Sequence, residues 1–102
     1  MLKVRLSEGE EIKAIAETAK EIFGENVKIW LFGSRVDLDK RGGDIDLYIE
    51  TEMEEDILRK KLKFLVKLEK KIGEQKIDVI IRPFDSKDEI SLIAKRTGVR
   101  LV

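Results

Sequence analysis

Three aspartates are the residues best suited to catalysis in this chain, and two of them are separated by a single residue. Asp44 and Asp46 flank Ile45 in an alternating segment. Side chains two residues apart in a strand point to the same face, so both carboxylates would lie together with their Cα atoms about 6.6 Å apart. Asp78 lies in a second segment rich in β-branched residues, which we expect to form a neighbouring strand. The three carboxylates would then share one patch.

Carboxylates held this closely repel one another and need compensation. Two unit charges about 4 Å apart at an effective dielectric of about 20 repel by about 4 kcal/mol. The patch therefore requires a counter-charge, a shared proton or a metal ion. A site made only of oxygen ligands favours Mg²⁺ or Mn²⁺ over Zn²⁺.

A Gly-Ser turn follows the first predicted strand and comes before the paired aspartates. Gly33 can adopt positive φ or let the backbone approach a ligand, Ser34 offers a hydroxyl and an amide to a phosphate oxygen, and Arg35 adds positive charge. The loop after this turn returns the chain to the strand that carries the paired aspartates. Phosphates bound at the turn would therefore reach a metal held by the carboxylates, as in-line phosphoryl chemistry requires.

Helices and strands alternate along the chain and would position these residues. The first predicted elements are an extended segment 2–6, a helix from a capping box at Ser7 to Gly24, a strand 27–32, a loop 33–43 and a strand 44–49. A long helix follows, which is opened by a capping box at Thr51 and Glu54 and ended by Gly73. The last predicted elements are a strand 76–82, a helix opened by Ser86 and Glu89 and running to Arg96, and an edge strand 99–102.

This order predicts an α/β (α+β) fold in which a small mixed β-sheet is flanked by helices, as a single domain over residues 1–102. The first two strands would form an antiparallel hairpin, and the long helix permits a parallel crossover between the second and third. We expect Trp30 to be a core residue rather than a base-stacking platform, and Tyr48 to be a packing residue or a polar tip beside the site. The buried face of the long helix is predicted to be Leu58, Leu62, Leu65, Leu68 and Ile72.

Composition limits the possible chemistry. The 102 residues include no Cys and no His, which excludes disulfides, thiolate nucleophiles, zinc fingers, Ser-His-Asp triads and HExxH metal sites. Lys plus Arg number 21 and so do Asp plus Glu, so nucleic acid binding by bulk charge is not expected. The lysines of the long helix are best interpreted as a solvated face. No apolar run is long enough for a membrane span or a secretory signal, and we expect a cytoplasmic protein.

The motifs together resemble a known family. Gly33-Ser34, nine intervening residues, Asp44-Ile45-Asp46 and the later Asp78 are similar to the signature of the DNA polymerase β-type nucleotidyltransferases. The short chain resembles the minimal nucleotidyltransferase (MNT) subgroup in particular, and the likeness covers about residues 27–82. The resemblance implies the nucleotidyltransferase fold, with ATP or another NTP as substrate and Mg²⁺ as cofactor.

The resemblance also implies a role for each motif residue. The Gly-Ser turn would hold the nucleotide's phosphates, the paired aspartates would bind Mg²⁺, and the third acid would complete the metal site and help to activate the acceptor hydroxyl. The residues concerned are Gly33, Ser34, Asp44, Asp46 and Asp78, with Arg35 as a common companion of the turn. The implied reaction transfers an NMP, expected to be AMP, from the NTP to a hydroxyl and releases pyrophosphate.

Stand-alone members of the minimal subgroup are similar to antitoxins of HEPN/MNT systems. Such antitoxins neutralise a HEPN-domain ribonuclease toxin by adding AMP to a toxin tyrosine or by complex formation. The resemblance therefore implies a HEPN-domain partner in a hetero-oligomer.

Two other interpretations stay open. The first is a non-catalytic antitoxin that neutralises its partner by complex formation alone, which three intact acids argue against because occlusion would not require them. The second is a structural module in which Gly-Ser is only a turn and the acids form an ordinary exposed face, with Asp78 paired to Arg35 or Arg82. Asp37 and Asp39 repeat the Asp-x-Asp spacing, but within the loop, where strand geometry does not apply.

Overall fold

The computed structural model describes residues 8–33, 45–73 and 75–102. The predicted extended segment 2–6 and the capping Ser7 lie outside these residues. The described part of the chain forms three helices and four strands, namely α1 (Glu8–Phe23), β1 (Lys28–Phe32), β2 (Ile45–Glu50), α2 (Ile57–Ile72), β3 (Ile77–Arg82), α3 (Glu89–Thr97) and β4 (Val99–Arg100).

The four strands form one mixed sheet in the order β3-β2-β1-β4. Strands β1 and β2 pair antiparallel, β2 and β3 pair parallel across the α2 crossover, and β4 pairs antiparallel with the outer edge of β1. This topology confirms the predicted α+β fold, its hairpin, its parallel crossover and its short edge strand.

The two faces of the sheet pack against different helices. The larger core lies between one face and helices α1 and α2, and it takes the alternate β2 residues Ile45, Leu47 and Ile49. The opposite face carries a smaller cluster in which Trp30 and Tyr48 pack with Ala94 of α3. Both aromatic side chains are buried, which confirms their interpretation as packing residues. Because β2 alternates, its even-numbered residues all belong to the α3 face.

Helix α2 begins later than the capping-box spacing predicts. Its first residue is Ile57, and the N-cap Asp56 makes no side-chain capping hydrogen bond. Thr51 instead continues the sheet, because its backbone N–H donates to the Arg82 carbonyl at 3.0 Å. The Thr51 hydroxyl donates to the Phe23 carbonyl at 3.3 Å, so this side chain joins the sheet to the end of α1. A residue committed to the sheet in this way cannot also cap a helix.

The buried face of α2 is also different from the prediction. Phe64, Leu68 and Ile72 are buried, whereas Leu58 and Leu62 are 67% and 58% exposed. Positions 62 and 64 are about 200° apart on a helix, so both cannot face the same core. The Phe64 ring packs 5.6 Å from the Phe23 ring, and this contact turns Leu62 outwards.

Helix α3 is capped by Asp88 rather than by Ser86. The Asp88 carboxylate accepts a hydrogen bond from the Ser91 N–H at 3.0 Å, and the helix begins at Glu89. The Ser86 hydroxyl accepts a hydrogen bond from the Ser91 hydroxyl instead, at 3.0 Å. In the residues that the structure describes, no helix has the length and apolar character needed to cross a membrane.

Candidate active site

Two of the three predicted catalytic aspartates lie side by side on the α3 face of the sheet. Asp46 of β2 and Asp78 of β3 are register partners in the parallel pair. Neighbouring strands are about 4.8 Å apart, and partners in register point to the same face. Asp46 is half-buried and Asp78 is exposed, so the pair is open to a substrate from solvent.

Gly33 lies directly against the Asp46 carboxylate. Strand β1 pairs antiparallel with β2 so that Phe32 is opposite Asp46, and Gly33 follows at the strand end. The φ angle of Gly33 is +80°, a conformation that side chains strongly disfavour. A Cβ at this position would overlap the Asp46 Oδ2 atom and lie 3.2 Å from its Cγ. Glycine therefore lets the carboxylate pack against the backbone at the start of the predicted phosphate-binding turn.

The other predicted site residues, Ser34, Arg35 and Asp44, lie outside the described residues, as do Asp37 and Asp39. Across 8–33, 45–73 and 75–102, no group of three or more acidic side chains is placed to hold a metal ion. Gly33, Asp46 and Asp78 are the predicted site residues that the structure brings together.

This arrangement fits a divalent cation. The donors are carboxylate oxygens on a rigid sheet, which hard cations such as Mg²⁺ prefer. The Asp46 carboxylate has this position because Gly33 has no side chain to displace it.

Arg82 does not neutralise Asp78. Its Nε donates to the Asp88 Oδ2 at 2.8 Å, in the turn that leads into α3. The interpretation of Asp78 and Arg82 as a structural ion pair is therefore wrong. The hydrogen bonds that Asp88 accepts from Ser91 and Arg82 lower the pKa of Asp88 to about 2.

A buried polar network continues the site face beneath α3. Glu50, which lies on the same strand face as Asp46, is 1% exposed. Its Oε2 accepts a hydrogen bond from the Tyr48 hydroxyl at 2.6 Å and lies 2.6 Å from the Lys95 Nζ. Its Oε1 accepts from the Asp85 N–H at 3.2 Å. This network fastens α3 to β2 next to the candidate site.

Hydrogen bonding keeps Glu50 charged although it is buried. Burial raises the pKa of Glu50, but the hydrogen bonds from Lys95 and Tyr48 more than offset it and leave the pKa below its usual value. Burial and the hydrogen bond to Glu50 raise the pKa of Tyr48 to about 12. Sequence reasoning missed Glu50, although the alternation of polar residues from Asp44 onwards extends to it.

Comparisons with known proteins agree with this geometry. A family model described as a nucleotidyltransferase domain matches residues 12–99, which include all four strands except the last residue of β4. No curated protein matches the chain. Because the match covers most of the chain, including the strands that carry Gly33, Asp46 and Asp78, the protein is a transferase of nucleoside monophosphates and belongs to the nucleotidyltransferase domain family.

Proposed function

We propose that this chain is a Mg²⁺-dependent nucleotidyltransferase that transfers AMP from ATP to a hydroxyl group. The observation that best supports the proposal is the pairing of Asp46 with Asp78 beside a glycine whose missing side chain makes room for the Asp46 carboxylate. Family membership supports the reaction class.

Each site residue has a part in this reaction. Asp46 and Asp78, with Asp44, would hold Mg²⁺, which when bound supplies positive charge to the triphosphate. Gly33, followed by Ser34 and Arg35, binds the outer phosphates.

Asp78 is exposed and orients the acceptor hydroxyl, accepting its proton as the oxygen forms a bond to the α-phosphorus. The bond between the α-phosphorus and the bridging oxygen breaks, and pyrophosphate leaves with that electron pair.

We further propose that the acceptor is a tyrosine hydroxyl of a HEPN-domain ribonuclease and that the chain is the antitoxin of a cytoplasmic HEPN/MNT pair. Support comes from the resemblance to the minimal subgroup and from the exposure of Asp78, which leaves room for a protein acceptor.

The test is transfer of radiolabel from ATP to the HEPN-domain protein in the presence of Mg²⁺. Label at the α-phosphate should be incorporated and label at the γ-phosphate should not. Asp46→Asn and Asp78→Asn should each reduce incorporation by about 100-fold or more, because each removes a charge that acts in the transition state. Asp56→Asn is the matched control, since Asp56 is exposed and makes no side-chain capping bond.

Equal incorporation by the aspartate variants and the wild type would contradict the catalytic proposal. Neutralisation of the ribonuclease that survives Asp46→Asn, with no label transferred by the wild type, would favour the non-catalytic antitoxin instead.

A further inference from the structure

Helix α2 carries a row of apolar side chains that faces solvent. Leu58, Leu62 and Val66 are 67%, 58% and 55% exposed. They are four residues apart, so they fall within about 80° of the helix circumference. Single exposed apolar residues are ordinary, but a row on one helix face marks an interaction surface. We call these three residues the α2 stripe.

One border of the α2 stripe is strongly basic. Seven of the 16 residues of α2 are Lys or Arg, and Glu69 is the one acid. Arg59 and Lys63 lie about 20° and about 60° beyond Val66 around the helix. Both also line a cleft of about 180 Å³ between α2 and the end of α1, in which four cations of α2 outnumber the acids Glu21 and Asp56. Acidic groups that reached past the stripe would find two cations there.

We propose that the α2 stripe docks an amphipathic helix of a partner protein, with acidic residues beside the partner's apolar face. The stripe extends over two turns, or about 12 Å, which suits three apolar residues of the partner at helical spacing. With the axes about 8–10 Å apart, acids at the partner's edge reach Arg59 and Lys63.

Charge argues against a second copy of this chain as the occupant. Packing the stripes of two copies together would place side by side two helices that each carry seven cations and one acid, and repulsion would oppose the apolar contact. An acidic helix reverses the sign of that interaction.

An anionic membrane also fits the surface poorly. Glu69 is exposed at an angle between Leu58 and Leu62, so its charge would be pressed towards the lipid headgroups. The segment 52–56, which leads into α2, contains four acids that anionic lipid would repel. A single basic residue on a partner helix can satisfy Glu69.

This surface is separate from the candidate active site. Helix α2 packs on the core face of the sheet, whereas Asp46 and Asp78 belong to the opposite face. The docking proposal therefore goes beyond the proposed function, and either can fail without the other.

The probe is a fluorescein-labelled peptide of about three heptads, with Leu at the two apolar positions of each heptad and Glu at the flanking positions, except for one Lys placed to meet Glu69. Fluorescence anisotropy should give a dissociation constant in the micromolar range. L58K/L62K should weaken binding by about tenfold or more, although it adds positive charge. R59E/K63E should weaken it by a similar factor. L92K/I93K is the matched control, because Leu92 and Ile93 are exposed on α3, and it should bind like the wild type.

Four results would each overturn the proposal. The peptide could bind L58K/L62K as tightly as the wild type, which would indicate charge attraction alone. Vesicles of phosphatidylcholine and phosphatidylserine could bind the wild type but not L58K/L62K. Sedimentation could detect a wild-type dimer that L58K/L62K dissociates. A melting temperature several degrees lower in L58K/L62K would indicate that another part of this chain covers the stripe.

Discussion

Replacing Lys95 with Met should strongly destabilise the fold, because it leaves the buried Glu50 without its cation. The Lys95 Nζ lies 2.6 Å from Glu50 Oε2, and Glu50 is 1% exposed. Removing one partner of a buried ion pair costs about 3–5 kcal/mol. The Tyr48 hydroxyl and the Asp85 N–H still donate to the carboxylate, so we expect the lower value, about 3 kcal/mol. Domains are stable by about 5–15 kcal/mol, so the loss is a large fraction.

The pH dependence of this loss follows from the pKa of Glu50. In the wild type the pKa is lowered, so the stability that Glu50 contributes is present above its unfolded pKa and is lost as pH falls through the folded pKa. In Lys95→Met the lowering effect of Lys95 is lost while burial still raises the pKa of Glu50, so this pKa should be higher in the variant than in the wild type. The free energy of unfolding of the variant is therefore reduced at neutral pH, where Glu50 is charged, and the reduction becomes smaller when Glu50 binds a proton. The difference between the two proteins should therefore shrink from about pH 7 to about pH 4.

Urea titration followed by tryptophan fluorescence measures this difference directly. Trp30 is the single tryptophan, it is 8% exposed, and its ring lies 5.6 Å from that of Tyr48. Lys70→Met, at an exposed position of α2, should change stability by less than about 0.5 kcal/mol. Adding Glu50→Gln to Lys95→Met should restore part of the loss, because the buried group is then neutral. A loss below about 1 kcal/mol at neutral pH, or one that is constant on acidification, would refute the reasoning.

Three further outcomes are expected. Gly33→Ala should lower the free energy of unfolding in urea by about 1–2 kcal/mol, because the φ angle of Gly33 is +80°. It should also reduce nucleotidyl transfer, because the added Cβ displaces the Asp46 carboxylate. Gly9→Ala, where a Cβ meets nothing, should be neutral or stabilising. Phe64→Ala should destabilise by about 3–5 kcal/mol, because the ring is fully buried, and a smaller loss would show that the core refills the cavity. The single tyrosine, Tyr48, should titrate by ultraviolet absorbance at about pH 12 in the folded protein and near pH 10 in urea; equal values would contradict its burial.

The sheet topology could be predicted because local pattern and chain connectivity agree. Short apolar strands on either side of one loop favour a hairpin, and a helix between two strands favours a parallel crossover. The start of α2 could not be predicted in the same way. Thr51 and Glu54 have the spacing of a capping box, but the hydrogen bond from the Thr51 N–H to Arg82 is decided by β3, more than 25 residues later.

The face that α2 buries was ambiguous for a similar reason. Apolar residues cover more than half of the helix circumference, so periodicity allows either the row with Leu62 or the row with Phe64 to face the core. The choice depends on the Phe23 ring at the end of α1, which the pattern of α2 alone does not reveal.

The buried charge of Glu50 shows a different limit. A glutamate at the end of an alternating strand is usually solvated, and only a partner can stabilise it when buried. That partner, Lys95, is 45 positions away on a helix whose docking on the sheet depends on tertiary packing. No local signal identified the pair.

The juxtaposition of Asp46 and Asp78 was predictable because it follows from the apolar residues around them. Ile45, Leu47 and Ile49 of β2 are register partners of Ile77, Val79 and Ile81 of β3, and all six pack in or against the larger core. Burying these two apolar rows together forces the residues between them to the other face, where Asp46 meets Asp78. A slip of one residue in either strand would bury that strand's acid and expose its apolar row. The hydrophobic effect therefore fixes the positions of the two carboxylates. Burial of the apolar rows brings them together although their like charges repel.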